Sequence, residues 1–141
     1  MRNFLRKRTE SEGSAAAAGS NGTVLVVDDS PTEQHVLRRI LTKAGYRVEV
    51  AADGAEGISE AKRLQPDLIL MDVVMPVLNG FQATRKLRED AETSNIPVIM
   101  VTTKDQETDK SWGLRQGAEA YLVKPVSASE LLARVKEVLG G

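Results

Sequence analysis

The chain has 141 residues, 41% of them hydrophobic and 28% charged, the balance of one globular domain of ordinary size. Its 19 basic and 20 acidic residues leave a net charge of −1. That lacks the basic excess needed to neutralise phosphates, so nucleic acid is excluded as the main partner. There is no cysteine and one histidine, which removes a disulfide framework, a thiolate zinc site, a cysteine nucleophile and a histidine-rich metal site, and fits the reducing cytoplasm. No apolar run approaches the ~20 residues of a membrane span, and the polar segment after the basic start, Met1 to Arg8, is not the apolar core of a secretory signal.

Residues 1–22 read as a tail. Arg2, Arg6, Lys7 and Arg8 against Glu10 and Glu12 make it +2 and leave the remainder at −3, and Ser14 to Gly22 is a small-residue, flexible linker. From Thr23 short apolar runs alternate with stretches of helical period. Thr23 to Val27 predicts a first strand. Pro31 to Ala44 predicts a helix with Ser30 as N-cap, Pro31 in the first turn and Gly45 as stop; Val36, Leu37, Ile40 and Leu41 share its apolar face. A second strand over Arg47 to Ala51 alternates polar and apolar residues. Ala55 to Leu64 repeats apolar residues at helical spacing, and Asp67 to Met71 is a third strand. The third helix spans Phe81 to Glu89, the fourth strand Pro97 to Val101, and the fourth helix Asp105 to Gln116, which is mostly polar with Trp112 its largest apolar residue. Ala120 to Val123 is the fifth strand, and Ser127 to Leu139 the fifth helix, opened by a capping box of Ser127 and Glu130.

Strands alternating with helices imply an α/β fold, a doubly wound parallel sheet with right-handed crossovers. Three strands are apolar throughout, as central strands covered on both faces are, whereas the alternating second strand suits an edge. With the second strand at one edge and the fifth at the other, the five-stranded order is 2-1-3-4-5, flavodoxin-like, and the site belongs at the carboxyl ends of the strands.

Those ends carry chemistry. Asp28 and Asp29 follow the first strand, Asp72 the third, Thr102 and Thr103 the fourth, and Lys124 with Pro125 the fifth. Any one of these is an ordinary turn residue. One at the end of each of four parallel strands is a constellation. The first and third strands are neighbours, so Asp28, Asp29 and Asp72 come together. Three such carboxylates repel one another unless a cation or proton intervenes, and hard oxygen ligands with room for water suit Mg²⁺. Lys124 supplies the opposite charge.

The stretches Val26-Val27-Asp28-Asp29-Ser30, Met71-Asp72-Val73-Val74-Met75-Pro76 with Asn79-Gly80, Val101-Thr102 and Lys124-Pro125 resemble the CheY-like receiver domain of response regulators, over Thr23 to Leu139. Phe81 to Arg85 and Val101 to Lys110 are similar to the single-domain regulators of type IV pilus twitching motility. The resemblance implies a phosphorylation-switched signalling module that catalyses only its own phosphorylation and dephosphorylation. It implies that Asp72 accepts a phosphoryl group from a histidine kinase or phosphotransfer protein. Asp29, Asp72 and the Val74 carbonyl would hold Mg²⁺, with Asp28 acting mainly through water, and Thr102 and Lys124 would bind phosphoryl oxygens. Thr102 and Tyr121 would form the switch. A downstream protein would bind the face of the fourth helix, fifth strand and fifth helix of a cytoplasmic monomer. Thr103 departs from the family's usual small residue and Asn79 from a common Asp, and Val74 and Lys104 stand where water attack on the phosphoryl group is tuned.

The fifth helix ends at Leu139 with only Gly140 and Gly141 after it, so the expected output is contact with a partner or, alternatively, draining phosphate from a shared kinase. A Mg²⁺-dependent phosphohydrolase is disfavoured by Val74, which stands where such enzymes carry a second Asp. A flavodoxin-like cofactor binder is disfavoured by Asp28 and Asp29, which repel a phosphate.

Overall fold

A computed structural model describes residues 19–140; residues 1–18 of the expected 1–22 tail and the final Gly141 lie outside the described residues. The strands are β1 (Thr23–Val27), β2 (Arg47–Ala51), β3 (Leu68–Met71), β4 (Val98–Thr102) and β5 (Ala120–Val123). The helices are α1 (Pro31–Lys43), α2 (Gly54–Leu64), α3 (Gly80–Glu89), α4 (Glu107–Arg115) and α5 (Ala128–Leu139). All neighbouring strands pair in parallel, in the order β2-β1-β3-β4-β5. The doubly wound fold is therefore the one the alternation predicts.

Successive strand residues point to opposite faces, which builds two cores from one sheet. Val24 and Val26 of β1, with Leu68, Leu70, Ile99 and Val101, pack under Leu37 and Leu41 of α1 and Leu131 and Val135 of α5. Leu25 and Val27, with Ile69, Met71 and Val98, pack under Ala61 of α2 and Ala83 and Leu87 of α3. A third cluster of Val73, Met100 and Ala118, with Phe81 and Tyr121 against it, lies toward α4. Gly113 lets α4 approach closely. A Cβ there would stand 2.7 Å from the Met100 sulfur and 2.9 Å from the Tyr121 ring.

The helix ends follow their residues. Ser30 Oγ accepts from the Glu33 amide at 3.3 Å, with Pro31 in the first turn, and Gly45 takes φ +95° after the C-cap Ala44. A reciprocal capping box closes the start of α3, where Asn79 Oδ1 accepts from the Gln82 amide and Gln82 Oε1 from the Asn79 amide, each at 2.9 Å. At α5 only half of the expected box is built. Ser127 Oγ accepts from the Glu130 amide at 3.1 Å and also meets Ser129 Oγ at 3.4 Å.

The end of the expected linker is held in place. The Asn21 amide donates to Gly45 O and its side chain to Ala44 O at 2.7 Å, and Arg47 N donates to Gly22 O. Asn21 thus satisfies a carbonyl at the end of α1, where a helix leaves acceptors without partners. Among the described residues no helix is long and apolar enough to cross a membrane.

Candidate functional site

The sheet's hydrogen bonds continue one residue past the strands and seat the site. Asp28 N donates to Ala51 O at 3.1 Å, Asp72 N to Val27 O at 2.9 Å and Lys124 N to Thr102 O at 2.8 Å. These three backbone positions are therefore locked to the neighbouring strands. Asp28, Asp29 and Asp72 each bring a carboxylate oxygen to within 4.8 Å of the others, and the first and last are buried while Asp29 is exposed.

Asp28 has both oxygens engaged. Oδ1 accepts from the Ser30 amide at 2.9 Å and Oδ2 from Lys124 Nζ at 2.7 Å, and Gln34 Nε2 donates to its backbone carbonyl at 2.6 Å. Asp72 Oδ1 accepts from the Val74 amide at 3.4 Å, and Oδ2 lies 3.8 Å from Lys124 Nζ. Lys124 therefore sits closer to Asp28 than to Asp72. It is also 3.7 Å from Glu33 Oε1, a neighbour that the chain order does not reveal. Gln34 and Glu33 occupy the first turn of α1, where helical spacing turns both side chains back over the strand end.

Burial pushes the Asp72 carboxyl above its ordinary value; Lys124 opposes the shift, Asp28 adds to it, and Thr102 and the Val74 amide oppose it. For Lys124, burial alone would lower the ammonium's pKa. The hydrogen bond it donates to Asp28 and the charges of Asp72, Asp28 and Glu33 outweigh it and hold the group above the usual lysine value. The three aspartates thus carry more negative charge than Lys124 neutralises. Their hard, closely spaced oxygens fit a small divalent cation such as Mg²⁺.

Gly80 completes the seat. The first residue of α3 donates its amide to Val73 O, and a Cβ on it would stand 2.1 Å from the Asp72 carbonyl oxygen and 2.8 Å from Val73 Cα. Only glycine lets the helix start against the strand end that carries Asp72.

Thr102 is the last residue of β4, not the residue after it, and is fully buried; its Oγ1 accepts from the Lys104 amide at 3.4 Å. The Tyr121 hydroxyl donates to Lys104 O at 2.9 Å. Burial, then Asp109, Asp72 and Asp105, push the Tyr121 phenol up to about 12. Lys104 sends its ammonium to Asp109 of α4, 3.7 Å away. Val74 is 54% exposed, and Thr103 is exposed. The site therefore brings together Asp28, Asp29, Asp72, Thr102 and Lys124, and the Tyr121 hydroxyl is tied to the Lys104 backbone beside it.

Residues 24–136 match the model of the response regulator receiver domain. This chain belongs to that family. It is 58% identical to protein PilH of Pseudomonas aeruginosa over 118 residues, covering 84% of this chain and 98% of that protein. Among solved structures it resembles the receiver domain of the sensor histidine kinase PA1611 of P. aeruginosa, crystallised with magnesium in its active-site cleft (35% identity, TM-score 0.79, 85% of this chain and 98% of that one). It likewise resembles the chemotaxis protein CheY4 of Vibrio cholerae (37% identity, TM-score 0.78, 82% of this chain and 97% of that one). The chain is a receiver-domain response regulator with a CheY-like fold.

Proposed function

We propose that Asp72 accepts a phosphoryl group from a histidine kinase or phosphotransfer protein, and that the modified domain switches its affinity for a partner protein. The observation that carries this reading is the buried Asp72 carboxylate, flanked by Asp28, Asp29, Thr102 and Lys124 at the carboxyl ends of four parallel strands. In the transfer the donor's bond to phosphorus breaks as an Asp72 carboxylate oxygen forms a new one in line with it. The result is an acyl phosphate, which an attacking water later hydrolyses.

Catalysis of this kind is positioning plus charge stabilisation. Asp29, Asp72 and the Val74 carbonyl would hold Mg²⁺, with Asp28 reaching it through water, and the bound ion would neutralise charge on the transferred group. Lys124 pairs with one phosphoryl oxygen and the Thr102 hydroxyl donates to another. Asp28 and Glu33 keep Lys124 charged and in the site before the donor arrives.

Movement of Thr102 toward the phosphoryl group is transmitted along a short path. Thr102 and Tyr121 both contact Lys104, and Lys104 in turn holds Asp109. The surface that changes is α4, β5 and α5, where a downstream protein docks. The identity with PilH supports a role as a cytoplasmic regulator of type IV pilus twitching motility, acting either by contact or by draining phosphate from a shared kinase.

Mass spectrometry after incubation with acetyl phosphate and Mg²⁺ tests the reading. The wild type should gain one phosphoryl group and Asp72→Ala none. Undiminished labelling of Asp72→Ala would sink the assignment.

A further inference from the structure

Lys124 faces more anions than it can serve equally. Its Nζ donates to Asp28 at 2.7 Å, and two further carboxylates stand at almost the same distance, Glu33 at 3.7 Å and Asp72 at 3.8 Å. Glu33 is outside the aspartate cluster. It lies in the first turn of α1, with its backbone held by the Ser30 cap. Its side chain is 41% exposed while that of Lys124 is 10% exposed, so Glu33 pulls on the ammonium from the solvent side and Asp72 from the inner side.

A phosphoryl group on Asp72 adds negative charge and needs Lys124 to turn toward it. From this we infer that Glu33 is a positioning residue. It holds part of the charge of Lys124 away from Asp72, and so weakens the site for a phosphoryl group while strengthening it for a divalent cation. The two effects have one cause, a fixed negative charge beside the site, and opposite signs because the ligands have opposite charges. A residue that mattered only for folding would weaken both ligands together. The effect is screened by salt because Glu33 is partly in water. The inference rests on Asp72 as the phosphoryl acceptor.

Calorimetric titration of the full chain separates the cases, using Mg²⁺ alone and then beryllofluoride, a phosphoryl mimic, at saturating Mg²⁺. Glu33→Gln keeps the shape of the side chain and removes its charge. It should bind beryllofluoride about threefold to tenfold tighter and Mg²⁺ about twofold weaker at low salt, with both differences shrinking at about 0.5 M salt. Glu33→Asp, which keeps the charge, should stay on the wild-type side of both changes. Unchanged or weaker beryllofluoride binding by Glu33→Gln overturns the inference. So does a parallel loss of both ligands accompanied by a lower melting temperature. Beryllofluoride binding by Asp72→Ala equal to that of the wild type overturns the acceptor reading itself, and the role of Glu33 with it.

Discussion

Asp72→Asn should make the metal-free protein more stable. The side chain at this position is 9% exposed and its carboxylate oxygen lies within 4.8 Å of one from Asp28 and one from Asp29. At that separation and an effective dielectric of about 20, each like-charge pair costs about 3 kcal/mol. Lys124, 3.8 Å away, returns about 4 kcal/mol, and water screens the exposed Asp29. Asparagine removes the repulsion and the burial cost of the charge, and its carbonyl oxygen can still accept from the Val74 amide. Lys124 keeps Asp28 and Glu33 as partners. The net gain should be about 1–2 kcal/mol, a rise of several degrees in melting temperature for a domain of this size.

The pH dependence has a definite sign. The folded-state pKa of Asp72 is raised, so the wild type is relieved of this cost below the unfolded carboxyl value of about 4. The penalty grows as pH climbs from there through the raised folded value. The gap between variant and wild type should be full at neutral pH and close as the solution is acidified toward pH 4. Millimolar Mg²⁺ should also narrow it, because binding to the native state favours the wild type. Thermal melts at pH 4 and pH 7, with and without Mg²⁺, check both statements. A neutral, metal-free Asp72→Asn protein that melts at or below the wild-type temperature would refute the account of charge at the site.

Two further outcomes follow from the loop beside Asp72. Gly80→Ala forces a Cβ to 2.1 Å from the Asp72 carbonyl, and should cost about 2–3 kcal/mol in chemical denaturation and lower Mg²⁺ affinity; a fully stable variant would show that α3 is not seated as described. Val77 is fully exposed and holds φ +69°, a conformation that burdens a β-branched residue, so Val77→Gly should raise the denaturant midpoint by the equivalent of about 1 kcal/mol with an unchanged slope, and a lowered midpoint contradicts the strain.

Much of this was legible along the chain. The alternation in Arg47 to Ala51 against the unbroken apolar runs of β3 and β4 marked which strand is at an edge, and the sheet order followed. The order then placed Asp28, Asp29, Asp72, Thr102 and Lys124 at one edge, which the structure bears out. What was not legible depends on side-chain direction. Glu33 reads as a polar residue in a helix's first turn, and only the geometry of α1 over β1 brings it to Lys124. Lys104 reads as a residue flanking the phosphoryl site, but its ammonium is drawn to Asp109. Gly80 reads as half of an Asn-Gly turn, and the reason for glycine is the Asp72 carbonyl, eight residues earlier. The half-built cap at α5 shows the limit of a local motif. Glu130 has the right spacing from Ser127, but spacing alone does not make it return a bond to the cap.

These details share a physical logic. The backbones of Asp28, Asp72 and Lys124 are tied into the ladder, and Gly80 pins the loop that follows Asp72, so the crowded carboxylates cannot relax by drifting apart. Their repulsion is held in the folded state at some cost in stability. A ligand can shift a conformational equilibrium only by as much as it binds the two states differently. Excess negative charge favours a cation, and under the proposed function that cation together with Lys124 would make room for an added anion on Asp72. The proposed switch would run through β4, which ends on buried Thr102, because Lys104, two residues on, binds both the Tyr121 hydroxyl and the Asp109 carboxylate. The rigidity of the site on one side and the partly exposed contacts on the other are complementary. In the proposed switch the first would keep a change in charge from dissipating locally, and the second would leave α4 a cheap set of bonds to exchange.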